Sequence, residues 1–144
     1  MRLSRHTDYA LRVLLHLAAR PERLASIGEI ARIYAISENH LMKVVHLLGR
    51  SGFVRTVRGR GGGIALAVPA EEIVIGRVVR STETSLDLAD CLDCVIAPAC
   101  GLTGVLAEAM QAFLAVLDRY TLADVSRKRS GLAKLLGLED QPAL

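Results

Sequence analysis

Apolar residues recur every three to four positions in two stretches near the start of the chain, which predicts two amphipathic helices. In the first stretch, residues 3–19, the apolar residues that share one face are Leu3, Ala10, Leu11, Leu14 and Leu17. Pro21 ends this stretch. The second stretch, SIGEIARIYA, begins with Ser26, whose hydroxyl can cap a helix N-terminus, and its inward-facing residues are Ile27, Ile30 and Ala31.

A third helix is predicted in ENHLMKVVHLLGRSG, with Ser37 as its cap and Gly52 as its stop. The apolar residues, spaced i, i+3, i+4 and i+7, are Leu41, Val44, Val45 and Leu48. The polar residues opposite them, which cluster within roughly 60° at 100° per residue, are Asn39, Lys43, His46 and Arg50. Such side chains can bind base edges and phosphates, so this face, with Ser37 and His40, is a candidate for reading a DNA major groove.

Two short strands are predicted next, over residues 53–57 and 64–68, and a glycine-rich tip at residues 59–63 joins them. The order of three helices and a hairpin predicts a winged helix-turn-helix. Arg55, Arg58 and Arg60 would then bring positive charge to the DNA backbone and minor groove. An alternative to this DNA-contacting role is that RGRGGG is only a flexible hairpin turn. A nucleotide-binding P-loop is not indicated, because it would need a Gly-Lys-Ser/Thr ending that is missing here.

The second half of the chain predicts a helix opened by Pro69, a cysteine loop, and a long helix over residues 101–120. About nineteen residues at 1.5 Å each span roughly 28 Å, and a long apolar stripe predicts a dimer interface, the alternative being that it covers the domain's own core. A short helix is expected around TLADVSRK, and LEDQPAL is expected to fray. The resulting organisation is a DNA-binding domain over 1–82, a cysteine loop over 83–100, a dimerisation region over 101–130 and a tail over 131–144. The fold class is mainly α with a small β-hairpin.

Charge is distributed unevenly along the 144 residues. Eleven bases and four acids give residues 1–60 a net charge of +7, whereas seven bases and eleven acids give the remainder −4. This asymmetry favours a front half that meets a polyanion, although a solvated basic surface would look the same. Charges interrupt the apolar stretch at the N-terminus, and no apolar run reaches eighteen residues, so we expect a cytoplasmic protein without a membrane partner.

The three cysteines, Cys91, Cys94 and Cys100, all fall within ten positions. In a reducing compartment, an odd number of close thiols favours metal binding or redox chemistry, with a regulatory Cys91–Cys94 disulfide as the alternative. Cys100 lies at the predicted start of the long helix, where the helix dipole stabilises a thiolate. The sequence contains no paired acid and base, nucleophile elbow or nucleotide fingerprint, so an enzyme is not expected.

Three segments carry a resemblance to a known family: MRLSRHTDYALRVLLHLA, VRGRGGGIALA and CVIAPACGLTGVLAEAMQAFLAVLDRYTLADV. Over nearly its whole length the chain resembles the NsrR/IscR family of winged-helix iron-sulfur transcription factors, and within that family the nitric-oxide-sensing branch. The resemblance implies a homodimeric repressor that binds double-stranded operator DNA and holds one iron-sulfur cluster per subunit, of the 4Fe-4S rather than the 2Fe-2S type. Nitrosylation of the cluster would weaken operator binding.

The same resemblance implies a ligand set. Cys91, Cys94 and Cys100 match the family's three cysteine ligands, and Asp8 of the partner subunit matches the fourth, with His6 as the nearest rival. Family members generally have a wider gap between the first two cysteines than the two residues found here. Two alternatives remain: a regulator of the same family that senses redox state or cluster supply, and a DNA-binding module stabilised by zinc.

Overall fold

The computed structural model describes residues 1–139, and their architecture is helical with one two-stranded antiparallel hairpin. In chain order the elements are α1 (Arg5–Ala19), α2 (Ile27–Tyr34), α3 (Glu38–Arg50), β1 (Val54–Val57), β2 (Gly63–Leu66), α4 (Ile75–Thr82), α5 (Leu102–Leu117), α6 (Leu122–Val125) and α7 (Arg129–Leu135). Short 3₁₀ turns lie at Ala70–Glu72 and Ala97–Ala99. This arrangement confirms the predicted fold class and the winged-helix order.

Serine hydroxyls cap the three helices of the DNA-binding half. The Oγ atoms of Ser4, Ser26 and Ser37 accept hydrogen bonds of 3.0–3.2 Å from the amides three residues further on. The caps at Ser26 and Ser37 are those predicted. The Ser4 cap was missed, and it places the start of α1 at Arg5, so Leu3 lies outside the helix and is 38% exposed instead of contributing to the apolar face.

The predicted apolar faces of α1, α2 and α3 meet in one core. The buried members are Ala10, Leu14, Leu17, Ile30, Ala31, Leu41, Val44, Val45 and Leu48. Leu11 and Ile27 are only half-buried at its edge. Val78 and Val79 of α4 are also buried, and α4 packs beside α1. The core therefore fixes the outward orientation of the polar face of α3.

The hairpin pairs Val54 with Leu66 and Val57 with Gly63, so each strand is shorter than the sequence predicts. Gly59 and Gly61 at the tip have φ values of 97° and 74°, which an L side chain rarely adopts. Ala25 forms an isolated bridge with Ile64 through hydrogen bonds of 3.0 and 2.8 Å. This bridge anchors the base of the wing to the segment before α2.

The helix predicted after Pro69 is interrupted. A 3₁₀ turn comes first, and α4 begins only at Ile75, because the intervening backbone pairs with the segment before α6. Leu122 donates its amide to the carbonyl of Ile73 at 2.7 Å, and Ile75 donates to the carbonyl of Tyr120 at 2.9 Å. These long-range bonds replace helical ones.

Helix α5 is shorter than the predicted 101–120 and ends at Leu117. A bidentate ion pair, Arg80 to Asp118 at 2.6 and 2.8 Å, holds its C-terminal end against α4. Most of its apolar side chains face outward: Leu102, Val105, Phe113 and Val116 are 37–60% exposed, whereas Leu114 is buried.

Part of the predicted tail is folded. Helix α7 extends into it as far as Leu135, and the side chain of Leu138, which we expected to fray, is 1% exposed and packs with Ala133 against Ala19 of α1. Arg20 donates a hydrogen bond to the carbonyl of Leu138. Residues 140–144, the rest of the predicted tail, lie outside the described residues.

Candidate DNA-binding surface and cysteine loop

The polar face of α3 is exposed as a continuous strip. Asn39, Lys43, His46 and Arg50 are all exposed, as the helical spacing predicts. The two other candidates on this helix have structural contacts as well: the hydroxyl of Ser37 accepts the amide of His40, and the His40 ring lies 4.7 Å from the ring of Tyr9.

Sequence reasoning missed one exposed side chain on α3. Met42 is 54% exposed, and it lies beside the strip with Asn39 one turn before it and His46 one turn after it. The sequence did carry a signal for this exposure, because Met42 lies outside the i, i+3, i+4, i+7 set that forms the buried face of α3.

The wing places its basic residues next to α3. Arg55 lies on β1 and Arg58 and Arg60 lie at the tip, and all three are exposed. In the part of the chain that the structure describes, none of the three has a carboxylate within 4.0 Å. Phe53 joins the wing to the end of α3 by donating its amide to the carbonyl of Leu48 at 3.0 Å. Strip and wing together form a basic surface able to bind a polyanion.

The cysteine loop connects α4 to α5 and carries three free thiols. Cys91 and Cys100 are half-buried, and Cys94 is exposed. Two turns shape the loop, since Cys94 donates its amide to the carbonyl of Cys91 at 3.4 Å and Cys100 donates to Ala97 at 3.3 Å. The hydroxyl of Thr103, in the first turn of α5, lies 3.7 Å from the sulfur of Cys91.

The donor set of this loop suits an iron-sulfur cluster, because three thiolates from one short segment are the ligands such clusters use. Cys100 lies directly before Gly101, the N-cap of α5, close to the position predicted. Over residues 1–139, however, no three His, Cys, Asp or Glu side chains are grouped as a metal site within one chain. The thiols thus match the cluster in chemical type.

Asp8 lies in the first turn of α1, and its carboxylate forms a bidentate pair with Arg12, with both N···O distances at 3.0 Å. Both side chains are 45% exposed, so the carboxylate is accessible from outside the chain. This hydrogen bond raises the pKa of Arg12. The rival ligand His6 is half-buried, and burial and the neighbouring His40 lower its pKa while Glu83 opposes them.

The cysteine loop begins where α4 contacts the N-terminus of α1. Glu83 accepts a hydrogen bond of 2.7 Å from the amide of Ser4. Burial acts to raise the pKa of Glu83, but hydrogen bonds from Thr7 and Ser4 hold it below its usual range. A side-chain bond between Thr7 and Thr82 adds to this connection. The loop is therefore tied directly to the helix that carries Asp8, an arrangement that no local pattern indicates.

Within residues 1–139, no helix is both long and apolar enough to cross a membrane.

Comparison with known proteins agrees with this architecture. The family model Rrf2, described as an iron-dependent transcriptional regulator, matches residues 3–128. The HTH-type transcriptional regulator NsrR of Bacillus subtilis (strain 168) is 51% identical over 146 residues, which cover 97% of this chain and 100% of that protein.

Two solved structures are similar in fold. CymR, the global cysteine regulator of B. subtilis, matches with a TM-score of 0.72 and 26% identity, covering 89% of this chain and 98% of that chain. IscR of T. potens matches with a TM-score of 0.73 and 27% identity, covering 89% of this chain and 88% of that chain.

Relatives of this kind regulate transcription, which confirms the prediction of a DNA-binding regulator rather than an enzyme. The family match spans the winged helix, the cysteine loop and α5 together, so a cluster of iron and sulfur is the cofactor that this homology implies. The chain belongs to the Rrf2 family of iron-dependent transcriptional regulators.

Proposed function

We propose that the chain is a homodimeric repressor that binds operator DNA and releases it when nitric oxide reaches a 4Fe-4S cluster. The observation that carries this proposal is the placement of all three thiols in one exposed loop, joined by hydrogen bonds to the N-terminus of α1. The 51% identity with NsrR of B. subtilis, over 97% of this chain, supports the same reading.

In this proposal, α3 enters the major groove and the wing follows the backbone. Ser37, Asn39 and His40 lie in the N-terminal part of α3, which in helix-turn-helix proteins contacts base edges. Lys43, His46 and Arg50 continue along the same helix, and Arg55, Arg58 and Arg60 bind phosphates from the wing.

The second subunit covers the exposed side of α5. Four large apolar side chains on one 16-residue helix are exposed at 37–60%, and water contact with so much apolar surface is unfavourable. A second copy of the chain would bury this surface by pairing α5 with α5. Two recognition helices would then face two half-sites of an operator.

Cys91, Cys94 and Cys100 would hold three irons as thiolates, and Asp8 of the partner subunit would hold the fourth. When bound, the cluster supplies iron that reacts with nitric oxide. A carboxylate is a weaker and more exchangeable ligand than a thiolate, so Asp8 would be the ligand that a small molecule displaces most readily. The 45% exposure of Asp8 leaves it reachable by a partner's loop.

The contacts of Glu83 and Thr82 with α1 provide the link to DNA. Helix α1 packs against α3, so a loop that changes shape would shift α1 and with it the recognition helix. Loss of the ligation by Asp8 across the two subunits would also change the spacing of the two recognition helices. A decisive switch needs about a 10⁴-fold difference in operator affinity between the two states.

An anaerobic nitric oxide titration tests the proposal. Cluster absorbance and the binding of a duplex selected from a random pool are followed in the same samples, and both should fall together. DNA binding that persists after the cluster has reacted would contradict the proposal. So would a colourless protein that contains zinc instead of iron and sulfide.

Asp8→Ala tests the fourth ligand. Its pair with Arg12 is exposed, so the fold should remain while the cluster is lost faster to a chelator. Glu22→Ala is the matched control, because Glu22 also forms an exposed ion pair, with Arg20. Equal rates of cluster loss in the two variants would remove Asp8 from the site.

A further inference from the structure

An apolar side chain lies exposed on the helix that we place in the major groove. Met42 is 54% exposed, although α3 already has a complete buried face of four residues. Within residues 5–66, all of which the structure describes, the only other large apolar side chain that is at least 36% exposed is Val57, on β1 of the wing. Both exposed apolar residues therefore belong to the elements that would face DNA.

The position of Met42 on α3 explains its exposure. At 100° per residue, Met42 lies roughly 110° from the middle of the buried face and roughly 40° from His46. It cannot turn into the core without rotating the helix, which Leu41 and Val45 prevent. The apolar side chains suited to pairing with a second copy lie elsewhere, on α5, so the proposed dimer interface would not bury Met42.

The major groove presents one apolar group to a protein, the C5 methyl of thymine. We propose that Met42 contacts this methyl in each operator half-site and so selects thymine at one base position. The proposal rests on the placement of α3 in the major groove. The unbranched thioether can adapt its rotamers to the methyl. Asn39, one turn earlier, has the amide that pairs with adenine, so the two side chains together suit adjacent A·T pairs.

The size of the effect follows from the burial of one methyl group. Removing that contact should weaken binding about fourfold per half-site, and more when both half-sites are altered. The effect is specific to one base position, whereas loss of a phosphate contact weakens binding on every sequence.

The test replaces thymine by deoxyuridine, which deletes only the C5 methyl. A duplex is selected from a random pool with the full-length, anaerobically purified protein, and each thymine is then replaced singly. The wild-type protein should lose about fourfold in affinity at one thymine per half-site, and Met42→Ala should bind the thymine and deoxyuridine duplexes equally. Met42 is exposed, so circular dichroism should show an unchanged fold for this variant.

Lys43→Ala is the matched control on the same helix. It should weaken binding to all duplexes and keep the ratio between thymine and deoxyuridine. If Met42→Ala keeps the wild-type ratio, or if no thymine is sensitive in the wild type, the proposal is overturned. Failure to select any duplex, or an unaltered affinity in Lys43→Ala, would instead contradict the placement of α3 on DNA.

Discussion

The side-chain hydroxyl groups of Thr7 and Thr82 lie 2.9 Å apart in the buried contact between α1 and α4. Thr7 is in the first turns of the helix that carries Asp8, and Thr82 is the last residue before the segment of the cysteine loop. Both residues are at most 4% exposed. This bond therefore connects the two parts of the chain that the proposed cluster would join across subunits.

Thr82→Val should destabilise the protein by about 1 kcal/mol, because it leaves the buried hydroxyl of Thr7 with one partner fewer. Urea unfolding followed by circular dichroism measures this loss. Thr56→Val, on the exposed strand β1, is the matched control and should change stability by less than about 0.5 kcal/mol. The double variant Thr7→Val, Thr82→Val should lose less unfolding free energy than the sum of the losses in the two single variants. Strict additivity of the two losses would argue against the bond.

Thr103→Val should lower the reduction potential of the bound cluster. The hydroxyl of Thr103 is within reach of the sulfur of Cys91, and a hydrogen bond to a thiolate ligand favours the reduced, more negative cluster. Anaerobic potentiometric titration measures the shift, and Thr103→Ser should restore the wild-type value. If valine and threonine give the same potential, the hydroxyl does not act on the ligand.

Arg58→Ala and Arg60→Ala should each reduce the salt dependence of DNA binding. Every phosphate contact contributes about 0.9 to the slope of log affinity against log salt, so each variant should lower that slope by about one. Fluorescence anisotropy over a range of salt concentrations measures the slope. Lys134→Ala removes an exposed base from α7 and should leave it unchanged. Identical slopes for all three variants would mean that the wing does not touch the backbone.

Protonation of the buried His16 should make the protein less stable in mild acid. Its ring is buried and both ring nitrogens lack a hydrogen-bond partner within residues 1–139, although Glu29 lies 3.6 Å from Nε2. Burial lowers the pKa of His16, an effect that outweighs the opposing attraction of Glu29. The unfolded chain then binds a proton more readily than the folded one, so this contribution to stability is present above about pH 6.5 and is lost as pH falls below it.

The measurement is the free energy of unfolding between pH 7 and pH 5. His16→Gln should reduce its dependence on pH by up to one proton, which is about 1.4 kcal/mol per pH unit. His46→Gln removes an exposed imidazole from α3 and is the control for the loss of a histidine. An equal pH dependence in wild type and His16→Gln would falsify the assignment.

Local signals were sufficient for the DNA-binding half. Ser26 and Ser37 cap their helices because a hydroxyl three residues before a free amide is a local arrangement. The face of Leu41, Val44, Val45 and Leu48 follows from helical periodicity alone, and burying it exposes the opposite strip. The clustering of the three cysteines is likewise visible in the sequence.

Contacts between distant residues were not predictable in this way. The interruption after Pro69 depends on backbone bonds to residues 120–122, and the folding of α7 depends on apolar contact with Ala19. The pairing of Glu83 with Ser4 joins residues 79 positions apart. Such bonds have no periodic signature, because they arise only when separate elements pack together.

The sequence by itself determined the three helices and the hairpin of the DNA-binding half, the caps at Ser26 and Ser37, the basic strip and the positions of the thiols, since each depends on neighbours within a few residues. The tertiary structure decided that the cysteine loop begins at the N-terminus of α1 and that the segment after α7 packs against Ala19. It also decided that the apolar side of α5 faces outward. Those outcomes depend on which helix faces are buried in the core, and the core forms only when all the helices have packed.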